Sequence, residues 1–153
     1  MIELLAGWPG AELVRANPVA YLLLNASHIL GIGLLLGAIL PLDLRLAGLL
    51  SGPLGVLGPW LSRSAGLGLG LAILTGLWLF SVDPPEYLKN PAFRIKLLLI
   101  GAALANLAAL HFSPGWKAAR AGRRIAPAVR LMAALSALLW LSVLVAGRWI
   151  GFL

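Results

Sequence analysis

Two histidines, His28 and His111, are the residues of this chain best suited to chemistry, because each lies in a long uncharged stretch. Ionisable groups inside a bilayer are costly, so each is a candidate functional residue. Imidazole is a usual axial ligand of haem iron, and the pattern predicts that these histidines bind haem b. The alternatives are a structural hydrogen bond for His28 and hydration at the membrane interface for His111. His28 also belongs to a polar stripe at helical spacing, formed by Tyr21, Asn25, His28 and Gly31.

The two histidines are predicted to lie at different depths in the membrane. His28 follows Asn17 by 11 residues and His111 follows Asn90 by 21, and the two asparagines are expected to cap their helices. At about 1.5 Å per residue the depths differ by roughly 15 Å, so the two histidines of one chain cannot easily hold one haem between them. Three arrangements remain open: a symmetric dimer in which each histidine meets its own copy, Met132 as the partner of His111, and a five-coordinate haem on His28 alone.

Three charged residues beside the apolar stretches have both a functional and a structural interpretation. Lys96 lies within two turns of the predicted start of its helix. Its ammonium could contact a haem propionate or a quinone headgroup, or it could extend to the outer interface. Asp43 and Arg45 are expected to be structural anchors that pair with neighbours such as Arg63.

The glycines of the first two apolar stretches also have two interpretations. Gly31 and its neighbours could let a flat macrocycle approach the helix backbone. Packing is the preferred explanation, because Gly33 with Gly37 and Gly66 with Gly70 have the small-x-x-x-small spacing that brings membrane helices together.

The elements that must hold these residues are membrane-spanning helices. Of 153 residues, 61% are apolar and 11% are charged, and the mean hydropathy is +0.97, whereas soluble domains average about 45–50% apolar and 25% charged residues. Four uncharged stretches of 17 to 27 residues match the roughly 20 residues that cross a bilayer. The sequence therefore predicts one all-α domain, residues 1–153, folded as an integral membrane four-helix bundle, and it excludes a water-soluble enzyme. The predicted spans are about 18–42, 64–82, 91–112 and 128–150, after an interfacial segment at about 2–15.

The connections between the spans are predicted to be irregular. A link over 46–60 is rich in glycine and proline, Asp83 to Tyr87 form a turn, and 113–125 form a loop. Most of the tryptophans fall near the ends of the spans, which is typical of the aromatic belt at the membrane interface. They are Trp60, Trp78, Trp116, Trp140 and Trp149.

The two halves of the chain have similar punctuation. Asn17-Pro18 and Asn90-Pro91 are 73 residues apart, and Gly76-Leu77-Trp78 and Gly147-Arg148-Trp149 are 71 apart. This spacing is consistent with two helix hairpins in a parallel repeat about an axis along the membrane normal.

The distribution of charge predicts the topology. The hairpins 43–63 and 113–130 hold 7 of the 12 Lys and Arg residues, so they are expected in the cytoplasm, with both termini outside a bacterial inner membrane. In a lipid-embedded chain the net charge of +7 is explained by topology rather than by nucleic acid. The absence of cysteine excludes disulfides and iron–sulfur clusters.

The leading functional hypothesis is a cytochrome b-like electron-transfer protein or redox-complex subunit, with quinone as a candidate partner. No nucleotide-binding loop, zinc-protease motif or buried acidic pair occurs in the sequence, which favours an accessory or electron-transfer subunit over a stand-alone enzyme. One alternative is a non-catalytic membrane subunit or assembly factor, in a homo-oligomer or a larger complex. Another is handling of copper or a different metal by His28, His111 and Met132.

A series of short motifs runs in order along the chain from about Arg15 to the C-terminus. They are His28 with the glycine-rich helix after it, Asp43-Leu44-Arg45-Leu46, Pro59-Trp60, Thr75-Gly76-Leu77 with Phe80 and Asp83, Tyr87, Asn90-Pro91-Ala92-Phe93, Lys96, Asn106, His111-Phe112, Trp116, Ser136 to Trp140, and Gly147-Arg148-Trp149-Ile150. With these motifs the chain resembles a family of bacterial four-span membrane proteins known as a domain of unknown function, distantly similar to copper-resistance D-like membrane proteins. The resemblance implies a four-helix membrane fold with histidine at both His28 and His111, and no particular activity.

Overall fold

The computed structural model describes residues 6–152, and these residues are helical almost throughout. No strand occurs among them, which confirms the predicted all-α class. The part of the predicted interfacial segment that contains Ile2, Leu4 and Leu5 lies outside the described residues. The helices are α1 (Pro9–Ala16), α2 (Pro18–Ala47), α3 (Leu54–Val82), α4 (Pro84–Lys89), α5 (Pro91–Phe112), α6 (Pro114–Arg120) and α7 (Pro127–Trp149), followed by a 3-10 turn at Ile150–Phe152.

Four of these helices, α2, α3, α5 and α7 with its 3-10 turn, are long and apolar enough to cross a membrane. The protein is therefore a multi-pass helical membrane protein, and the outward-facing apolar side chains of these helices are suited to lipid contact.

Asparagine side chains begin α2 and α5, as the Asn-Pro pairs predict. Asn17 Oδ1 accepts hydrogen bonds from the backbone N–H groups of Val19 and Ala20, at 2.9 and 3.3 Å. Asn90 Oδ1 does the same for the second and third residues of α5. A proline follows each cap, where its missing N–H costs nothing.

The connections are more helical than predicted. Residues 48–53 alone separate α2 from α3, and Gly48, with a φ of 88°, ends α2 in the left-handed conformation that glycine tolerates best. Gly55, Gly58 and Pro59 lie inside α3 instead of in a broken link. Helix α4 begins in the predicted turn at 83–87 and extends two residues beyond it, and α6 lies within the predicted loop at 113–125. The side chains of Asp83 and Ser113 cap these two helices.

The bundle is open on one side. Helix α2 packs along α3 and also against α7, and α7 packs against α5. Among the described residues, no Cα atom of α3 lies within 8 Å of one in α5. A two-fold axis that relates the hairpin α2–α3 to the hairpin α5–α7 would place α3 against α5 in the same way as α7 lies against α2. Since the α3 and α5 backbones do not approach each other among the described residues, the packing departs from that symmetry.

The short helix α1 docks on the end of α3 through two indoles. Trp8 Nε1 donates to Ser81 Oγ at 2.9 Å, and Trp78 Nε1 donates to the Gly10 carbonyl at 3.0 Å. The two rings are 5.4 Å apart at a tilt of 53°. Trp78 therefore anchors α1 in addition to lying near the end of its span.

Candidate functional site

His28 is held between α2 and α3 by a hydrogen bond that the sequence did not reveal. Its Nδ1 lies 3.0 Å from Oγ1 of Thr75. The Thr75 hydroxyl donates its single proton to the Leu71 carbonyl at 2.6 Å, so toward His28 this oxygen acts as the acceptor. The proton of a neutral imidazole is then on Nδ1, and Nε2 carries a lone pair.

A glycine makes room for the ring. A Cβ atom at Gly76 would lie 3.0 Å from Cε1 of His28, closer than side-chain atoms normally pack, and in contact with Nδ1 at 3.5 Å. The adjacent pair Thr75 and Gly76 therefore supplies both the partner and the space for His28. We call His28, Thr75, Gly76 and Lys96 the His28 site.

Lys96 brings α5 into this site. Its ammonium acts electrostatically on His28, and its side chain passes over Gly147 of α7, where a Cβ atom would lie 3.4 Å from Cε of the lysine. The stem of Lys96 thus runs between helices instead of out along the lipid-facing surface. The nearness of Lys96 to His28 was not predicted from the sequence, since it depends on the packing of α5 and α7.

His111 lies in a different place, at the mouth of a cavity of about 330 Å³. The cavity lies between α2, α3, α5 and α7, and its walls are mainly apolar. The His111 ring packs beside Trp116 at 5.1 Å between centroids. The residues that line the cavity are Leu35, Ile39, Ser62, Ala65, Gly66, Leu69, Leu104, Leu107, Ala108, His111 and Trp140.

His28 and His111, which a metal site or a haem with two histidine ligands would bring together, lie far apart in the structure. His28 is bonded to Thr75, whereas the cavity beside His111 contacts α3 at 62–69. This stretch lies 6 to 13 residues before Thr75, or roughly 9–20 Å along the helix. Met132 is not one of the cavity-lining residues, and its carbonyl accepts a hydrogen bond from Asn106 Nδ2 at 2.9 Å. Asn25 is half-buried and makes no side-chain hydrogen bond within residues 6–152. Over the same range, no three His, Cys, Asp or Glu side chains converge.

Four buried polar atoms near the cavity lack hydrogen-bond partners within the described part of the chain: Asp43 Oδ2, Ser62 Oγ, Ser136 Oγ and Trp140 Nε1. Asp43 is only 1% exposed and lies beside the Ser136 hydroxyl without reaching hydrogen-bond geometry. The predicted pairing of Asp43 with Arg63 is wrong, since this carboxylate faces the bundle interior.

Arg45 donates from Nε to the Gly52 carbonyl at 2.7 Å and so closes the α2–α3 link, which fits its predicted role as a structural anchor. The prediction for Trp140 needs correction. Trp140 is 2% exposed and belongs to the core, not to the interfacial belt, whereas Trp60 is 71% exposed.

The glycine contacts between α2 and α3 involve different residues from those predicted. A Cβ at Gly31 would lie 2.7 Å from the Ala72 nitrogen, and one at Gly68 would lie 2.8 Å from the Gly31 carbonyl oxygen. The predicted pairs are wrong: Gly33, Gly37, Gly66 and Gly70 have nothing within 4 Å of an added Cβ. Gly31 is thus a packing residue of the helix pair.

An aromatic cluster joins α4 to the ends of α3 and α5. Phe80 and Phe93 stack at 5.4 Å, and Tyr87 packs on both rings. Burial raises the pKa of the Tyr87 phenol, and the neighbouring Tyr21 and Asp83 raise it further.

We therefore expect Tyr87 to ionise above the usual value of about 10. Because the folded-state pKa is the higher one, Tyr87 stabilises the fold below pH ~10, and this contribution is lost as pH rises through the raised pKa. Ultraviolet titration of tyrosinate in detergent measures this, and the step that belongs to Tyr87 should disappear in Tyr87→Phe. Titration of Tyr87 at pH ~10 in the folded protein would contradict its burial.

Fold and site together define a class: a multi-pass membrane protein with four spanning helices and a half-buried histidine whose Nδ1 is hydrogen-bonded to a threonine. Comparison of the chain with protein-family models, with curated proteins and with solved structures gives no match.

Proposed function

We propose that this protein binds haem b through Nε2 of His28 and transfers electrons in a bacterial inner membrane. The observation that supports this most directly is the hydrogen bond from His28 Nδ1 to Thr75. Histidines that ligate metals usually donate their other ring N–H to a fixed acceptor, which orients the ring and raises its basicity. The Thr75 hydroxyl, itself fixed by Leu71, performs that role for His28.

The donor set of the His28 site is compatible with a single axial ligand. His28 offers one nitrogen, and Lys96 offers a cation that would pair with a propionate. When bound, haem b supplies a one-electron redox centre. His111 does not belong to this proposal, because the stretch of α3 beside it lies roughly 9–20 Å along the helix from Thr75. The remaining arrangements are a five-coordinate haem and a dimer in which a second copy contributes its own His28.

We further infer that the end of the bundle that carries α6 faces the cytoplasm, with both termini outside. Five basic residues lie between 113 and 130, and Lys and Arg near span ends are retained on the cytoplasmic side. The His28 site then lies in the outer half of the membrane and the cavity in the inner half.

The exposure of α5 favours a second candidate function, that of a subunit in a larger membrane complex. Only 11% of the most apolar stretch of α5 is buried, compared with 22–28% for the other three spans. Among the described residues, its backbone packs closely on only one other spanning helix, α7, and it touches the end of α3 through the Phe80–Phe93 stack. Its remaining sides would suit lipid or another membrane protein equally.

A redox difference spectrum of the protein purified in detergent tests the haem proposal. We expect a stoichiometric b-type signal, confirmed as pyridine haemochrome, that His28→Ala abolishes and His111→Ala retains. Thr75→Val should lower haem retention about 10–100-fold, because it removes the partner of Nδ1 without removing the ligand. A colourless, folded protein from haem-replete cells would exclude haem binding. A defined protein that co-purifies and cross-links to α5 would then support the second candidate.

A further inference from the structure

The cavity beside His111 has walls suited to an apolar ligand and borders the lipid. It lies where α3 and α5 diverge, and its mouth carries the exposed residues Gly66, Ala108 and His111. A ligand can therefore enter sideways from the bilayer without crossing water. The volume of about 330 Å³ is at the lower end of the range of about 300–1,000 Å³ typical of small-molecule sites.

Two side chains of this cavity have buried polar atoms without partners in the described part of the chain. Trp140 Nε1 is a hydrogen-bond donor only, and the Ser62 hydroxyl can also donate. An unsatisfied buried donor is costly, so such groups usually have a partner that completes them. The complementary ligand offers acceptors and no positive charge.

A polar path continues from the cavity toward the end of the bundle that carries α6. Asp43 lies one helical turn beyond Ile39 on α2, and Ser136 lies one turn before Trp140 on α7, so each shares a face with a cavity residue. Asp43 and Ser136 lie side by side. Polar groups thus lie on one side of the cavity and lipid on the other.

We propose that this cavity binds the ring of a lipid-soluble quinone. The side chains of Trp140 and Ser62 turn toward the ring on binding, so that Nε1 and Oγ donate hydrogen bonds to its carbonyl oxygens. A quinone ring is flat and apolar, and it carries acceptors on opposite edges, which fits apolar walls with two separate donors. Its hydrocarbon tail leaves through the opening between α3 and α5. The proposal does not depend on haem, because none of these residues belongs to the His28 site.

Glycine substitutions at the mouth give the sharpest test. Gly66 lines the cavity and an added Cβ there meets nothing within 4 Å, so Gly66→Leu should fill the mouth without displacing backbone. Gly70 is equally unobstructed, lies one turn along α3, and is not a lining residue. Gly70→Leu is therefore the matched control.

The measurement is equilibrium binding of radiolabelled decylubiquinone, and separately of a tailed naphthoquinone, to the protein in nanodiscs. We expect saturable binding of one of them that Gly66→Leu weakens at least tenfold and Gly70→Leu leaves unchanged. Loss of one neutral hydrogen bond corresponds to about 3–10-fold, which is the effect expected for Trp140→Phe and for Ser62→Ala. Trp60→Phe, at an exposed indole of the same bundle, should have no effect.

Several results would overturn the quinone site. They are the absence of saturable binding of both probes to the folded wild-type protein, binding that Gly66→Leu does not change, and binding that persists in the Trp140→Phe, Ser62→Ala double variant. The last result would mean that ordered water satisfies the two donors. The same assay in His28→Ala separates the two proposals, since quinone binding should survive there whether or not haem binds.

Discussion

Replacing Gly68 by alanine will destabilise the protein by about 1–3 kcal/mol, the cost typical of an overpacked interface. The added Cβ would lie 2.8 Å from the carbonyl oxygen of Gly31 and 2.9 Å from the carbonyl carbon of Leu34. Both atoms are backbone, so no side chain can rotate away and the two helices must separate. Their interface is the most extensive in the bundle, and it also positions His28 against Thr75.

Gly70→Ala is the matched control for this prediction. It makes the same substitution two residues along the same helix, where nothing lies within 4 Å. Alanine is the better helix former, so Gly70→Ala should leave stability unchanged or raise it by up to about 1 kcal/mol. Thermal unfolding followed by circular dichroism in one detergent compares the two variants. Equal stability of the two would mean that α2 and α3 do not pack through Gly68.

Gly31 and Gly68 should also be energetically coupled. Each glycine lies against the backbone of the other's helix, so either substitution forces the same separation of α2 from α3. The double variant should therefore lose less stability than the sum of the single variants. A strictly additive loss would show that the two positions relax independently.

The glycine contacts show where sequence reasoning fails in a membrane bundle. Glycines do pack α2 against α3, as the sequence predicted. The glycines spaced four apart, Gly33/Gly37 and Gly66/Gly70, however lie on faces of these helices that do not meet. Gly31 lies about 200° around α2 from Gly33. In a soluble helix the polar face would have fixed which side turns inward, but these spans are apolar on all sides. The orientation of each helix then depends on its neighbours.

Local signals, in contrast, were sufficient for the spans and their starts. The uncharged stretches predicted four spanning helices, and the Asn-Pro pairs located the first residues of α2 and α5. Such features depend on residues within one helical turn. The link after α2 was misjudged because glycine and proline occur both in broken segments and at helix ends.

Only part of each candidate site could be predicted from the sequence, because the other residues are brought in by contacts between helices. His28 was conspicuous as an ionisable residue in an apolar stretch, whereas Thr75 lies 47 residues away on another helix. Trp140 was mistaken for an interfacial residue because only three-dimensional packing buries it. A serine or threonine within an apolar span was the available clue, and Thr75 and Ser136 have that character, whereas Ser62 lies beside Arg63 at the edge of a span.

Asp43→Asn should increase stability by about 1–3 kcal/mol, against the usual effect of substituting a buried residue. The wild-type carboxylate has an oxygen without a partner and lies beside a hydroxyl that also lacks one. Burial of an unpaired charge is costly. The amide of asparagine has the same shape and no charge, and its N–H can donate to Ser136 Oγ, so one substitution removes two unsatisfied groups.

Asp83→Asn is the control, because Asp83 caps the N-terminus of α4 and asparagine caps a helix about as well as aspartate. Its unfolding temperature should remain near that of the wild type, while that of Asp43→Asn rises. A fall for Asp43→Asn would mean that the carboxylate has a charged partner in the membrane, contrary to the packing described above.

A rise would mean that Asp43 makes the wild-type protein less stable than it could be. Functional residues often have this effect, because activity can require a group that folding disfavours. Quinone binding should then be measured on the same variant, because a stabilised protein with weakened binding would place Asp43 in the function of the adjoining cavity.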